Sequence, residues 1–320
     1  MNDRLVAPSR AAIVQKAPVF LDRGACLQLA VSSIAEAAAA GAQLVIFPEA
    51  FVPGYPAWIW RIRPGGDMAL ADQLHRALLR NSVNLAADDL RPVREAAKAH
   101  GVTVLLGMNE RDGLSSGGTL YNTVVCIAAD GSIANRHRKL MPTNPERMVW
   151  GCGDASGLKS ANSACGRVGT LICWESYMPL ARYALYAQGI DVYVAPTYDS
   201  GERWLATMQH IAREAGCWVL GSGVALRGAD VRGAAPGLEQ LYAHADEWIN
   251  PGDSIVVAPG GRVVAGPLRN ECGILYAELD EGKVHDARRT LDIVGHYARP
   301  ELFRLQVRAN RLAPAEFELD

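Results

Sequence analysis

Apolar positions along the chain fall into two spacings that take turns. Short runs rich in branched residues read as strands, and the segments between them carry apolar residues at helical spacing. AAIVQKAPV (11–19) is followed by a predicted helix from about Arg23 to Ala40, then QLVIFPE (43–49), helical stretches up to His100, and VTVLLGMNE (102–110). Such alternation predicts an α/β architecture with covered sheets. TLYNTVVCIAADGSIANRHRKL reads as two strands joined at Asp130-Gly131, a strong hairpin signal, so antiparallel pairing is mixed in.

The second half repeats the theme. VGTLICWE (168–175) precedes a helix from about Pro179 to Gln188, with proline in the first turn and Gly189 just past the end. DVYVAPT, a helix over 202–215 and CWVLGSG follow; SIVVAPGGRVVAGP predicts a hairpin turning at Gly260-Gly261, and GILYAELD a last core strand. Every polar Gly/Pro segment is short or lies between core elements, so residues 1–320 are expected to form a single domain. Two stretches read as long loops of the kind that carry binding function: Phe51 to Gly66, with Tyr55, Trp58 and Trp60, and Val231 to Asp253.

Composition narrows the class. With 49% hydrophobic and 21% charged residues over 320 positions, the chain has enough apolar material for a large core, and disorder is excluded. A formal charge of -2 gives no reason to expect nucleic acid or an anionic membrane as partner; a small neutral ligand fits better. MNDRLVAPSR has no long apolar signal segment, and no apolar run approaches the roughly 20 residues of a membrane span, which predicts a cytoplasmic protein. The seven cysteines lack a Cys-x-x-Cys pair and there is no His-x-x-x-His spacing, so reduced thiols without disulfides or metal are expected.

TLICWESYMPL (170–180) sets Cys173 at the end of an apolar run, before a tryptophan and a carboxylate. A lone cysteine is ordinarily a small buried filler. Placed between strand and helix, it becomes a candidate nucleophile, favoured as thiolate by the helix terminus, with the Trp174 amide able to steady a developing anion. A thiol nucleophile needs a base. Glu49 follows LVIFP at a strand's carboxyl end, where partial desolvation would raise its pKa toward that of a useful base. NRHRKLMPTNPERMVWG supplies Lys139 and Glu146; the basic run Arg136–Lys139 could be a solvated face, yet Leu140, Met141 and Pro142 suit a chain entering the interior.

FPEAF around Glu49, HRKLMPT around Lys139 and CWES around Cys173 resemble, in order and spacing, the Glu-Lys-Cys set of the nitrilase superfamily of carbon–nitrogen hydrolases. The similarity runs from about residue 9 to residue 305, and ERMVWGCGDASGL, YVAPTYD and DIVGHYARPELF resemble the nitrilase branch. The resemblance implies a four-layer αββα sandwich, with Cys173 as nucleophile, Glu49 as general base, Lys139 as cationic stabiliser and Glu146 as a second glutamate that orients the set. It implies hydrolysis of an aryl, arylalkyl or aliphatic nitrile to acid and ammonia through a thioimidate and a thioester, with no cofactor and no metal. It also implies self-association: a homodimer as the building block of any larger or helical oligomer, with a C-terminal extension from about 296 involved in assembly. Ser176 stands where many members carry Asn.

An amide enters the same cycle at a later tetrahedral species, so these residues alone leave amidase and carbamoyl hydrolase open. Tyr55, Trp58, Trp174, Pro196 and Tyr198 are the expected substrate-binding residues, each beside one of these motifs or at a strand end facing the same crevice. Gly113-Leu114-Ser115-Ser116-Gly117 matches a serine-hydrolase pattern but precedes a strand rather than opening a helix, and reads as a hairpin loop. Gly151-x-Gly153 lacks the preceding strand and following helix of a dinucleotide loop. His137 is expected to hold the Lys139 segment and His296 a C-terminal contact. A non-catalytic assembly module of the same fold would lack one of Glu49, Lys139 and Cys173; all are present.

Overall fold

A computed structural model describes residues 8–113 and 116–310. Two sheets lie face to face. The first, six-stranded, takes β1 (Ser9–Gln15), β2 (Leu44–Ile46), β3 (Thr103–Arg111), β4 (Leu120–Ile127), β5 (Ile133–Arg138) and the much later β13 (Gly273–Leu279), in the order β13-β1-β2-β3-β4-β5. The second, seven-stranded, contains β6 (Ala161–Ser163), β7 (Gly166–Thr170), β8 (Val192–Thr197), β9 (Trp218–Gly223), β10 (Ala225–Arg227), β11 (Trp248–Val257) and β12 (Val263–Arg269), in the order β10-β11-β9-β8-β7-β6 with β12 on β11. In each sheet the central strands run parallel, β1 with β2 and β3, β7 with β8 and β9, while hairpins supply the antiparallel flanks.

Strand periodicity explains the layering. Ile13, Leu44, Ile46 and Leu105 point inward against Val168, Val192, Val194 and Leu220 of the facing sheet. Their neighbours Ala12, Val14, Val45 and Val104 point the other way, onto α1 (Arg23–Ala39) and α3 (Arg91–His100), which follows α2 (Met68–Asn81). On the far side, Ala181 and Leu185 of α4 (Pro179–Tyr186) and Trp204, Met208 and Ile211 of α5 (Glu202–Ala215) cover Tyr193, Ala195 and Val219. The result is the four-layer αββα sandwich expected, because both faces of both sheets are apolar and each needs a cover.

Several elements differ from expectation. The first strand stops at Gln15 and the strand of VGTLICWE at Thr170; β13 is a half-buried edge strand, not a core one. Residues 248–253 belong to β11 although they read as loop. Their polar side chains are buried with partners: Asn250 donates to the Tyr198 carbonyl, and Asp253 accepts from Gly201 N–H at 2.6 Å and pairs with Arg269 at 2.6 Å. The Gly113–Gly117 stretch connects the antiparallel pair β3 and β4, and Leu114 and Ser115 lie outside the described residues. No described helix is long and apolar enough to cross a membrane.

Candidate active site

The carboxyl ends of β2, β5, β7 and β8 deliver Glu49, Lys139, Cys173 and Thr197 to one place. Two glycines let the connecting chain come close enough. A Cβ on Gly107 of β3 would meet the Pro48 carbonyl at 2.0 Å, so the segment bearing Glu49 lies directly on that strand. A Cβ on Gly153 would meet the Arg138 carbonyl at 2.2 Å, and Gly153 N–H donates to Lys139 C=O at 2.7 Å. Gly153 thus steadies the backbone of Lys139.

Lys139 Nζ lies 2.8 Å from Glu49 Oε1 and 2.8 Å from Glu146 Oε2, with all three side chains almost wholly buried. Each carboxylate is itself held. Glu49 accepts from Asn122 Nδ2 at 2.7 Å and from the Tyr198 amide at 2.6 Å. Glu146 accepts from the Thr143 amide at 2.6 Å and the Tyr55 hydroxyl at 2.7 Å, and that hydroxyl receives the Trp60 indole N–H at 3.1 Å. Burial alone would depress the Lys139 pKa; the charges of Glu49 and Glu146 oppose that and raise it, so the ammonium persists. Burial raises the Glu49 pKa, with Lys139 opposing and Glu146 reinforcing. Glu49 is therefore a stronger base than an exposed glutamate.

Cys173 corrects one expectation. It opens a 3-10 turn, Cys173–Tyr177, with φ +55°, and α4 begins only at Pro179. The element that opens at the thiol is thus not an α-helix; burial first, and then Glu49, push its pKa up, so the resting group is a neutral thiol rather than a thiolate. The left-handed backbone places the sulfur on a sharp elbow at a strain of about 1–3 kcal/mol. Ala50, next to Glu49, and Asn144, near Glu146, share that conformation at φ +52° and +43°. The Thr197 hydroxyl lies 3.2 Å from Cys173 Sγ.

The Glu that follows Cys-Trp has a structural task. Glu175 is fully buried; its two oxygens accept from the Leu140 amide and the Ile172 amide, each at 2.7 Å, and His137 Nε2 lies 2.9 Å away. One carboxylate thereby ties the residue after Lys139 to the residue before Cys173. Burial raises the Glu175 pKa, but His137 and the two amides outweigh it and hold it below its ordinary value. His137 holds the Lys139 segment as expected. Arg138 is buried too, pairing with Glu110 at 2.5 Å, so this basic run enters the interior instead of coating the surface.

Above the sulfur is a cavity of about 240 Å³. Tyr55, Trp60, Trp174 and Tyr198 supply its aromatic walls, and Thr143, Glu146, Cys173 and Asp199 its polar floor and rim. Tyr55 and Tyr198 stack with centroids 3.8 Å apart; Trp174, half-exposed, donates its indole N–H to Asp199 at 2.8 Å. Trp58 is not in this wall: it packs edge-on to Phe20 at 5.8 Å and borders a separate cavity with Ile62, Met68 and His75. The 3-10 turn Ala57–Trp60 turns one indole inward to the core and the other to the cavity. Pro196 is buried in β8 opposite Ser222 of β9 and does not line the cavity either. Ser176 points to the Tyr193 hydroxyl at 2.9 Å, away from the cavity.

Sequence reasoning missed Asn122, Thr197, Asp199 and the role of Glu175, and placed Trp60 in a binding loop without naming it as a cavity residue. Asn122 left a signal: a lone amide inside the apolar strand LYNTVVCI. Among the described residues no cluster of His, Cys, Asp and Glu suits a metal ion.

The family model of carbon-nitrogen hydrolases matches residues 10–289. The chain is 38% identical over 325 residues to the bifunctional nitrilase/nitrile hydratase NIT4A of Nicotiana tabacum, covering 99% of this chain and 91% of that one. It is 41% identical over 304 residues to an aliphatic nitrilase of Sinorhizobium fredii (strain HH103), covering 93% and 95%. Nit3 of Saccharomyces cerevisiae, a member of branch 10 of the nitrilase superfamily, shares the fold with a TM-score of 0.70 at 20% identity, over 92% of this chain and 97% of that one. The chain therefore belongs to the carbon–nitrogen hydrolase family, and the relatives at 38% and 41% identity are a bifunctional nitrilase/nitrile hydratase and an aliphatic nitrilase.

Proposed function

We propose that this protein hydrolyses small organic nitriles to the carboxylic acid and ammonia, with Cys173 as nucleophile. The observation that carries the reading is the joining of two carboxylates to one buried ammonium beside a thiol at the floor of an aromatic cavity, in a chain related to nitrilases.

Glu49 takes the thiol proton as the sulfur attacks the nitrile carbon and the C–S bond forms, then passes that proton to the nitrogen, giving a thioimidate and restoring the carboxylate. Since both the thiol and Glu49 have raised pKa values, this proton moves during attack and not before it. Water, deprotonated by Glu49, adds to the thioimidate carbon. Ammonia leaves with the C–S bond intact, and a second water converts the thioester to acid and free thiol. Lys139, held protonated, steadies the charge at the substrate nitrogen and oxygen, and Glu146 fixes the ammonium's position.

A 240 Å³ cavity is smaller than the roughly 300–1,000 Å³ of drug-sized pockets, which favours compact aliphatic, aryl or arylalkyl nitriles. The protein acts in the cytoplasm as a homodimer or a larger assembly of dimers. The exposed side chains of Tyr297, Leu302 and Phe303 suit a C-terminal extension that packs on another copy.

The test is ammonia release from aliphatic, aryl and arylaceto-nitriles and the matching amides, beside Cys173→Ala. Acid and ammonia from nitriles, abolished in Cys173→Ala, are the expected result. Turnover of amides alone overturns the nitrile assignment, and nitrile turnover surviving in Cys173→Ala overturns the nucleophile.

A further inference from the structure

Thr197 is the last residue of β8, fully buried, and its hydroxyl oxygen has two described partners. The Asp199 amide donates to it at 2.8 Å, and Cys173 Sγ lies 3.2 Å away. A backbone N–H can only donate, so the hydroxyl's own proton has the sulfur as its acceptor. If the sulfur donated instead, the hydroxyl proton would be buried with no acceptor among the described residues, an expensive arrangement. The geometry therefore has a direction: amide to hydroxyl, hydroxyl to sulfur.

We propose that Thr197 is a positioning residue for the nucleophile: its hydroxyl donates to Cys173 Sγ, turns the thiol's own proton away from β8, and steadies the sulfur's charge while the C–S bond forms. This rests on the reading of Cys173 as nucleophile. The reaction makes the contact matter unequally across its steps. Charge accumulates on sulfur as the thiol is deprotonated and again when it leaves the final tetrahedral species. A donated hydrogen bond strengthens at both moments and is weak to the thioester sulfur between them.

The other groups that face the sulfur do not replace this contact. Glu49 and Glu146 oppose negative charge there, as does the Asp199 carboxylate on the cavity rim, and the Tyr55 and Tyr177 hydroxyls would add to that opposition if ionised. Lys139 favours the charge but is already held by two carboxylates. Thr197 is the neutral donor in the set. It also joins the nucleophile to the rim, because the same Asp199 whose amide it accepts holds the Trp174 indole.

Thr197→Val keeps the side-chain shape and removes the hydroxyl; Thr197→Ser keeps the hydroxyl and removes a methyl. The readout is the pH dependence of iodoacetamide alkylation at Cys173, followed by peptide mass spectrometry so that exposed Cys152 and Cys272 do not interfere, together with kcat and KM on a nitrile. Expected for Thr197→Val is an alkylation profile displaced upward by about one pH unit, hence about tenfold slower alkylation below it, and a comparable loss in kcat with KM little changed. Thr197→Ser restores both to within about threefold. A merely structural hydroxyl predicts lowered stability with an unmoved pH profile; that result, or a Ser variant as impaired as Val, overturns the proposal. Alkylation does not depend on nitrile being the substrate, so a failed substrate assignment is distinguished from a failed role for Thr197.

Discussion

Lys139 Nζ and Glu49 Oε1 stand 2.8 Å apart with neither side chain exposed to water. Glu146 helps to keep the ammonium charged, and Asn122 and the Tyr198 amide donate to the Glu49 carboxylate. Lys139→Met removes the cation and leaves two buried carboxylates facing each other, an arrangement whose cost is about 3–5 kcal/mol. Urea denaturation should register that loss, and ammonia release should fall by about 10³-fold or more, since the charge that steadies the substrate nitrogen is gone. Lys139→Met with near-native turnover would sink the stabiliser role.

Glu49 has a pKa raised above 4.5, mainly by burial, and Asn122 and Lys139 are among the groups that restrain the rise. A general base works when deprotonated, so activity is lost as pH falls through the raised value. The acid limb of kcat/KM should therefore lie above pH 4.5. Asn122→Leu removes a hydrogen bond to the ionised form and should move that limb further up, with a loss of stability near neutral pH of about 1–3 kcal/mol because the buried carboxylate loses that donor. An acid limb unmoved by Asn122→Leu would remove Glu49 as the group that titrates. Glu49→Gln should lower kcat by about 10²–10⁴-fold above that limb, and the difference should shrink as pH falls through it.

Glu175 governs stability in acid. Its pKa is held below 4.5 despite burial, because His137 and two amides favour the carboxylate. A depressed folded value means the contribution is fully present above the unfolded value of 4.5 and is lost as pH falls through the lower, folded value. Glu175→Gln has one acceptor oxygen for two converging amides and would set its own NH₂ against the other. Expected are a loss of about 3 kcal/mol at neutral pH and a flatter decline of stability below pH 4.5, read from urea unfolding across pH. Turnover should fall as well, since the anchored amides adjoin Lys139 and Cys173.

The layered architecture was legible because strand and helix periodicities alternate cleanly, and Glu49 and Cys173 because each follows an apolar run that must end at a strand's carboxyl edge; Lys139 ends a basic run, and only the Leu140-Met141-Pro142 after it and the family resemblance marked it. Glu146 stood out beside Lys139 in the same segment, but its role came from the family resemblance and not from any local pattern. Three features had no local signal. The direction of the Cys173 shift depends on how much protein covers the sulfur, and residues from several distant segments set that. Thr197 is one hydroxyl in an apolar strand, indistinguishable by pattern from a packing residue. Residues 248–253 looked like loop because the partners that make Asn250 and Asp253 tolerable in a strand lie elsewhere in the sequence.

Trp58 and Trp60 are two residues apart, and an irregular turn, unlike a helix or strand, gives no rule for which side chain faces where. The structure buries Trp58 against Phe20 and leaves Trp60 half-exposed on the wall of the Cys173 cavity. Their substitutions should therefore separate. Trp58→Phe takes volume from a packed core and should cost about 1–3 kcal/mol in urea unfolding while KM for a good nitrile stays within about twofold. Trp60→Ala removes a wall that water already reaches. It should cost little stability yet raise KM about 10–100-fold for compact nitriles, the range expected when apolar contact with a substrate is lost, and improve the relative rate on bulkier ones. Tyr55 keeps its 2.7 Å bond to Glu146 without the Trp60 indole, so kcat should change less than KM. If Trp58→Phe instead moves KM while Trp60→Ala does not, the substrate occupies the neighbouring cavity by Ile62 and His75, and the aromatic wall named here belongs to the scaffold.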